Sequence, residues 1–246
     1  MTDDEKLLKK RFAELSSRAL SRNIRTFSDF LTMAEQDDLL SLRLLPTPAL
    51  YGGYPGAERR LAAFGEEEIA DSFPVPAVWI FISPLSLKFA EKLTQRDFLG
   101  ALMSLGVKRE TMGDIVVTEN GAWLYCLDTV SEHILRELTQ VRKTPVRCEI
   151  KTPPEELLSP EKQEREVVIA APRADALISA VYNLSRSEAK ELFSKGLVFV
   201  NSRLLENGAK DLSEGDTVSV RGHGRFTYLG TVRETKKGKL RARVEY

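Results

Sequence analysis

Two histidines, His133 and His223, are the only imidazoles in the chain, and neither has the spacing of a nucleophile–base arrangement around it. His133 lies in a stretch of helical periodicity, and His223 lies between two glycines. Cys126 and Cys148 are too few for a four-cysteine zinc site. Both sit in apolar, strand-like runs and read as reduced core residues, not as a bridge or nucleophiles. The loop Tyr51-Gly52-Gly53-Tyr54-Pro55-Gly56 could cradle a phosphate. It lacks a strand before it and a Lys-Ser/Thr after it, so it reads as a turn-rich loop. Gly113-Asp114-Ile115 reads as an aspartate closing a turn before a strand. No catalytic residue, metal ligand set or cofactor motif emerges, and the chain is expected not to be an enzyme.

The pattern that does predict chemistry is basic. The chain carries 36 Lys/Arg and 36 Asp/Glu, a formal net charge of zero, but the balance is uneven. Residues 1–165 hold 22 basic against 26 acidic side chains, a net of −4, and residues 166–246 hold 14 against 10, a net of +4. Residues 221–246 alone carry 8 basic and 2 acidic side chains. Concentrated positive charge on a near-neutral protein predicts one local anionic partner. Within this part, Ser185-Arg186-Ser187-Glu188 is a capping box that opens a helix, with Ala189, Leu192 and Phe193 as its buried face. Arg186 and Lys190, four apart, share a different face beside the partial positive charge of the helix N-terminus.

The elements that must position these residues follow from periodicity. Residues 3–21 and a helix opened by the capping box Thr32-Met33-Ala34-Glu35 are followed by a loop at 46–56 and a further helix at 57–64, predicting a helical unit over residues 1–75. A strand at 77–82, a helix from Thr94 to Leu105, a hairpin with Asn120-Gly121 as a type I′ turn, a helix from the box at Thr129 to about Val141, and a strand at 146–150 follow. This order, βαββαβ, predicts a ferredoxin-like domain over 76–151, an arrangement shared by many RNA-recognition domains. Proline- and charge-rich residues 152–165 predict a linker. A third unit, 166–246, should place helices at 173–182 and 186–194 on short strands at 197–200, 203–205, 217–221, 226–231 and 239–244.

At 246 residues and 42% hydrophobic, the chain can build two or three cores. That excludes a wholly disordered chain and a disulfide-dependent mini-protein. Its charged start lacks a signal-peptide apolar region, and its longest uncharged run, residues 72–87, is interrupted by three prolines. A soluble, cytoplasmic, monomeric protein without membrane contact is the expectation.

Residues 172–218 carry Arg173-Ala174-Asp175, Ser185-Arg186-Ser187-Glu188-Ala189-Lys190, Lys195-Gly196-Leu197-Val198-Phe199-Val200-Asn201 and Gly215-Asp216-Thr217-Val218. In spacing these resemble the S4 RNA-binding domain, with Ala174 departing from that signature's Arg-Leu-Asp. The resemblance implies RNA contact by Arg173, Ser185, Arg186, Ser187, Lys190, Lys195 and Asn201, and Arg203, Arg221 and Arg225 would join the surface on folding. With the helical start, Tyr51-Gly52-Gly53-Tyr54, Ala57-Glu58-Arg59-Arg60 and Arg109-Glu110-Thr111-Met112-Gly113-Asp114-Ile115, the whole chain resembles the YlmH family of S4-domain proteins. This implies an α+β protein that binds rRNA of the large ribosomal subunit, and tRNA, in ribosome-associated quality control alongside other factors of that process, with no cofactor. The Ala57–Arg60 and Gly113–Ile115 motifs have no assigned role there beyond holding the N-terminal parts together. An RNA-modifying enzyme with a targeting arm is the main rival reading; its Gly-Arg-Leu-Asp motif is missing. A division-linked interaction protein is the other.

Overall fold

The computed structural model describes residues 3–158, 163–235 and 238–246. The chain forms two compact units, residues 1–160 and 161–246. Both mix helices with antiparallel sheets, as α+β expects.

The first unit opens with α1 (Asp3–Arg22), β1 (Thr26–Leu31), α2 (Met33–Ser41), β2 (Ala49–Tyr51) and β3 (Arg60–Phe64). The three strands make a sheet in the order β1-β3-β2, so residues 1–75 are not the helical unit that periodicity predicts. The segment Arg60-Leu61-Ala62-Ala63-Phe64 has helix-favouring composition, yet Leu61, Ala62, Ala63 and Phe64 are all at most 1% exposed. Phe64 and Ala62 join the core with α1, while Leu61 faces a second layer with Phe30 and Tyr125. Burial on both faces selects a central strand over local helix propensity. The box at Thr32 forms as read: its hydroxyl accepts from Glu35 N, and Thr32 N donates to the Glu35 carboxylate at 2.6 Å.

The chain continues through β4 (Ala77–Pro84), α3 (Gln95–Ser104), β5 (Met112–Thr118), β6 (Gly121–Leu127), α4 (Asp128–Glu137), β7 (Gln140–Val141), β8 (Thr144–Ile150) and the single turn α5 (Glu155–Leu158). The strands lie in the order β5-β6-β4-β8-β7, every neighbouring pair antiparallel. The helix from the box at Thr129 instead starts at Asp128, has no side-chain cap and ends at Glu137, because Gln140 and Val141 pair with Pro145 and Thr144. The hairpin is present, but Glu119 and Asn120 form its turn and Asn120 does not take a positive φ. Gly121 is required for another reason: at φ 145, a Cβ there would stand 2.2 Å from the Ile82 carbonyl oxygen of β4.

The two motifs without an assigned role meet each other. Asp114, 9% exposed, accepts from the Tyr54 hydroxyl at 3.0 Å and from the backbone N–H groups of Glu58 at 2.8 Å and Arg59 at 3.2 Å. Arg59 reaches the other way, donating to the carbonyls of Phe30 at 2.7 Å and Met112 at 3.0 Å. Arg109 donates to Met112 O and Gly113 O at 2.8 and 2.9 Å. Burial lowers both guanidinium pKa values, that of Arg109 to about 10 with Arg59 as the second cause. This clamp ties residues 54–60 to β5.

The second unit contains β9 (Glu164–Ile169), α6 (Ala174–Tyr182), α7 (Arg186–Ser194), β10 (Val198–Val200), β11 (Arg203–Leu204), β12 (Thr217–Val220), β13 (Gly224–Glu234) and β14 (Leu240–Glu245). They form one sheet, β11-β10-β12-β13-β14-β9, with both helices on one face. Part of the expected linker, 159–162, lies outside the described residues, and residues 164 and 165 already belong to β9. Glu164-Arg165-Glu166 masks that strand in the sequence. Its apolar partners Val167 and Ile169 are 4% and 3% exposed and complete the core.

Candidate nucleic-acid interface

The local signals around α7 act as read. Ser185 Oγ accepts from Glu188 N at 3.2 Å, and Ser185 N donates to the Glu188 carboxylate at 2.7 Å. The Ser185 hydroxyl and amide together hold the Glu188 carboxyl below the usual carboxylate range. Ala189, Leu192 and Phe193 are buried, which leaves Arg186 and Lys190 exposed on a separate face. Ala174, where the motif departs, is fully buried at the start of α6, so the change is a packing detail.

Arg186 and Lys190 line a groove of about 790 Å³. Arg173 and Lys239 line it too, as do the carboxylates Asp175 and Glu206, with the buried Phe193 ring between α6 and the 206–209 loop. Arg173 is oriented by Asp175: its Nε donates at 3.1 Å and its terminal nitrogen at 2.5 Å. Asp175 N in turn donates to Gly208 O at 2.9 Å, which fixes the loop to the start of α6. The arrangement presents exposed guanidinium and ammonium groups at the N-terminus of α7 along a channel with an apolar floor. That suits a polyanion with flat, apolar parts.

The other sequence-predicted residues lie elsewhere on the unit. Ser187 is exposed and shares a hydrogen bond with Ser185, 3.0 Å between hydroxyls. Lys195 pairs with Glu191 at 2.7 Å. Asn201 is used within the fold: in a left-handed conformation at φ 49, its amide donates to Asp216 at 2.8 Å and accepts from Thr217 N at 2.9 Å. Arg203 is exposed on the edge strand β11. Arg221 stacks over Phe199 at 4.7 Å, and Arg225 Nε donates to Ser219 at 3.2 Å. Because Val198, Val200, Val218 and Val220 face the helices, the alternate row Phe199–Ser219–Arg225 lies on the opposite face of the sheet. The ten residues therefore do not form one patch. Lys239, which lines the groove as well, is legible in the sequence only as part of the basic run at the end of the chain.

Both thiols are free; burial pushes Cys126 and Cys148 up to about 12, so they stay protonated and unreactive as thiolates. Among the described residues no group of three or more His, Cys, Asp or Glu could hold a metal ion, and no helix is long and apolar enough to cross a membrane.

The fold and this surface define a two-unit α+β protein with a basic groove on its C-terminal unit. Residues 80–155 match the family described as "Putative RNA-binding domain in YlmH". A relative from Bacillus subtilis (strain 168), named "Ribosome-associated protein quality control protein P2", is 32% identical over 205 residues, covering 80% of this chain and 77% of that protein. A solved structure described as "Cell division protein ylmH from Streptococcus pneumoniae" is similar over 61% of this chain and 93% of its own, at 19% identity and a TM-score of 0.47. The chain belongs to the YlmH family.

Proposed function

We propose that this protein is a non-enzymatic RNA-binding factor of the large ribosomal subunit, acting in ribosome-associated quality control of stalled translation. In this reading 1–75 and the ferredoxin-like 76–151 form the N-terminal part, and the unit from 166 onward is an S4 domain whose groove holds the RNA backbone. The observation that carries it is the convergence of Arg173, Arg186 and Lys190 on one groove at a capped helix N-terminus. The name of the Bacillus subtilis relative supports the quality-control setting. rRNA of the large subunit is the primary partner and tRNA a further one, with the protein acting as a cytoplasmic monomer. Sucrose-gradient sedimentation with ribosomal subunits at low and high salt, followed by crosslinking to map the RNA, tests this. Co-migration with large subunits and no modified nucleoside is expected. Sedimentation at the top of the gradient at low salt would overturn it, and appearance of a modified nucleoside would favour an RNA-modifying enzyme.

A further inference from the structure

The β5-β6-β4-β8-β7 sheet turns one face to its own core, and Phe30 and Leu61 of the three-stranded sheet pack against part of the other. The outward positions of the central strands β4 and β6 are aromatic: Trp79 opposite Tyr125, and Phe81 opposite Trp123. Their inward neighbours Ile80, Ile82, Ala122 and Leu124 are fully buried. The first aromatic pair is absorbed, its rings 4.9 Å apart and packed with Phe30 and Leu61 of β1 and β3. The second pair stacks at 4.5 Å; Trp123 is itself buried, 5% exposed, whereas Phe81 belongs to no core cluster among the described residues. Phe81 stays half-buried, with the Lys151 ammonium over its ring at 5.8 Å. On the adjoining strand Glu149 lies opposite Phe81 and Arg147 opposite Ser83, the two paired at 3.4 Å. Two cations against one carboxylate therefore flank a stacked ring that no core uses.

A flat π-surface beside cations fits a nucleobase with its phosphates, and an unpaired base offers the free face that a duplex does not. In RNA-recognition sheets stacking aromatics project from the sheet face, and here they rise from its central strands. We propose that Phe81, backed by Trp123, is a stacking platform for an unpaired base of single-stranded RNA, with Lys151 and Arg147 beside the adjacent phosphates. This rests on the RNA-binding reading above and adds a contact in the other unit, distinct from the Arg186–Lys190 groove.

The test uses the full chain and a fluorescein-labelled ten-nucleotide oligoadenylate, read by anisotropy. Phe81→Ala and Phe81→Leu should each weaken binding roughly tenfold, as loss of one base–aromatic stack does, while Phe81→Trp retains it. Phe81→Leu keeps apolar bulk, so its unchanged melting temperature separates lost stacking from lost fold. Binding should also quench tryptophan fluorescence, since the chain has 2 tryptophans and one backs the platform. Wild-type affinity in Phe81→Leu, or no oligoadenylate binding by the wild type, overturns the platform. If Arg186→Glu/Lys190→Glu abolishes co-sedimentation with large subunits while Phe81→Leu binds oligoadenylate normally, the platform falls and the proposed function stands. Weakened co-sedimentation of Phe81→Leu with unchanged oligoadenylate affinity would assign the ring to a protein contact and also overturn it.

Discussion

Arg186 and Leu192 sit on one helix, but one is exposed and the other 9% exposed. Reversing Arg186 and Lys190 to Glu should abolish detectable binding to large subunits while changing stability by about 1 kcal/mol or less, since exposed substitutions rarely cost more. Leu192→Ala should do the opposite, costing about 2–5 kcal/mol and weakening binding only through unfolding. Thermal melts beside binding curves separate the two. Asp114 is a structural counterpart. Asp114→Ala removes one acceptor shared by two backbone N–H groups and the Tyr54 hydroxyl, and the carboxylate beside two half-buried guanidinium groups. A loss of about 3–5 kcal/mol in urea unfolding is expected. Cys126 gives a pH signature. Its thiol pKa is raised from 9.0 to about 12 in the fold, so above pH 9 the unfolded chain ionises first and stability falls as pH rises. Between pH 8 and 10 the wild type should lose about 1.4 kcal/mol more than Cys126→Ala. Equal pH slopes would show that the thiol ionises as easily folded as unfolded.

At the scale of elements, α7 shows how a local motif aims a side chain. The Ser185–Glu188 box fixes where the helix starts, and that start decides which positions point into the groove. Ser185→Ala should cost about 1 kcal/mol, with the loss of helicity read by circular dichroism, and should weaken RNA binding in proportion to the fraying. The strand β3 teaches the opposite lesson. Arg60 to Phe64 favours a helix by composition, and only burial between two layers makes it a strand. The strand β9 is not legible as one in the sequence because its outward positions, Glu164 and Glu166, are charged and pair with Arg243 at 3.4 Å and Arg241 at 3.0 Å. Those pairs also explain why part of the C-terminal basic run is already neutralised within its own unit.

For the whole molecule, each unit has its own core. Residues 161–246 enclose a cluster running from Val167 to Val244, so this fragment should fold alone and bind RNA more weakly than the full chain. A cooperative melt of the fragment checks the first half, and titration with large subunits checks the second. If the groove's four cations each neutralise about one phosphate, affinity should fall on the order of a hundredfold between 50 and 200 mM salt. A flat salt dependence would show that backbone phosphates contribute little.

The features legible along the chain are local ones. The capping boxes at Thr32 and Ser185, the βαββαβ order, the buried face of α7 and the uneven charge all depend on neighbours within a few residues, and each is legible as spacing. Features that depend on distant partners emerge only in the folded chain. Asp114 becomes a clamp only because residues 54–59 fold onto β5, and Gly121 is needed because β4 passes beside it. The ten candidate RNA contacts divide in the same way: Arg173, Arg186 and Lys190 meet at the groove, whereas Arg221 and Arg225 lie across the sheet. Along a strand the two faces alternate, and a sequence fixes that alternation without saying which face the helices will cover.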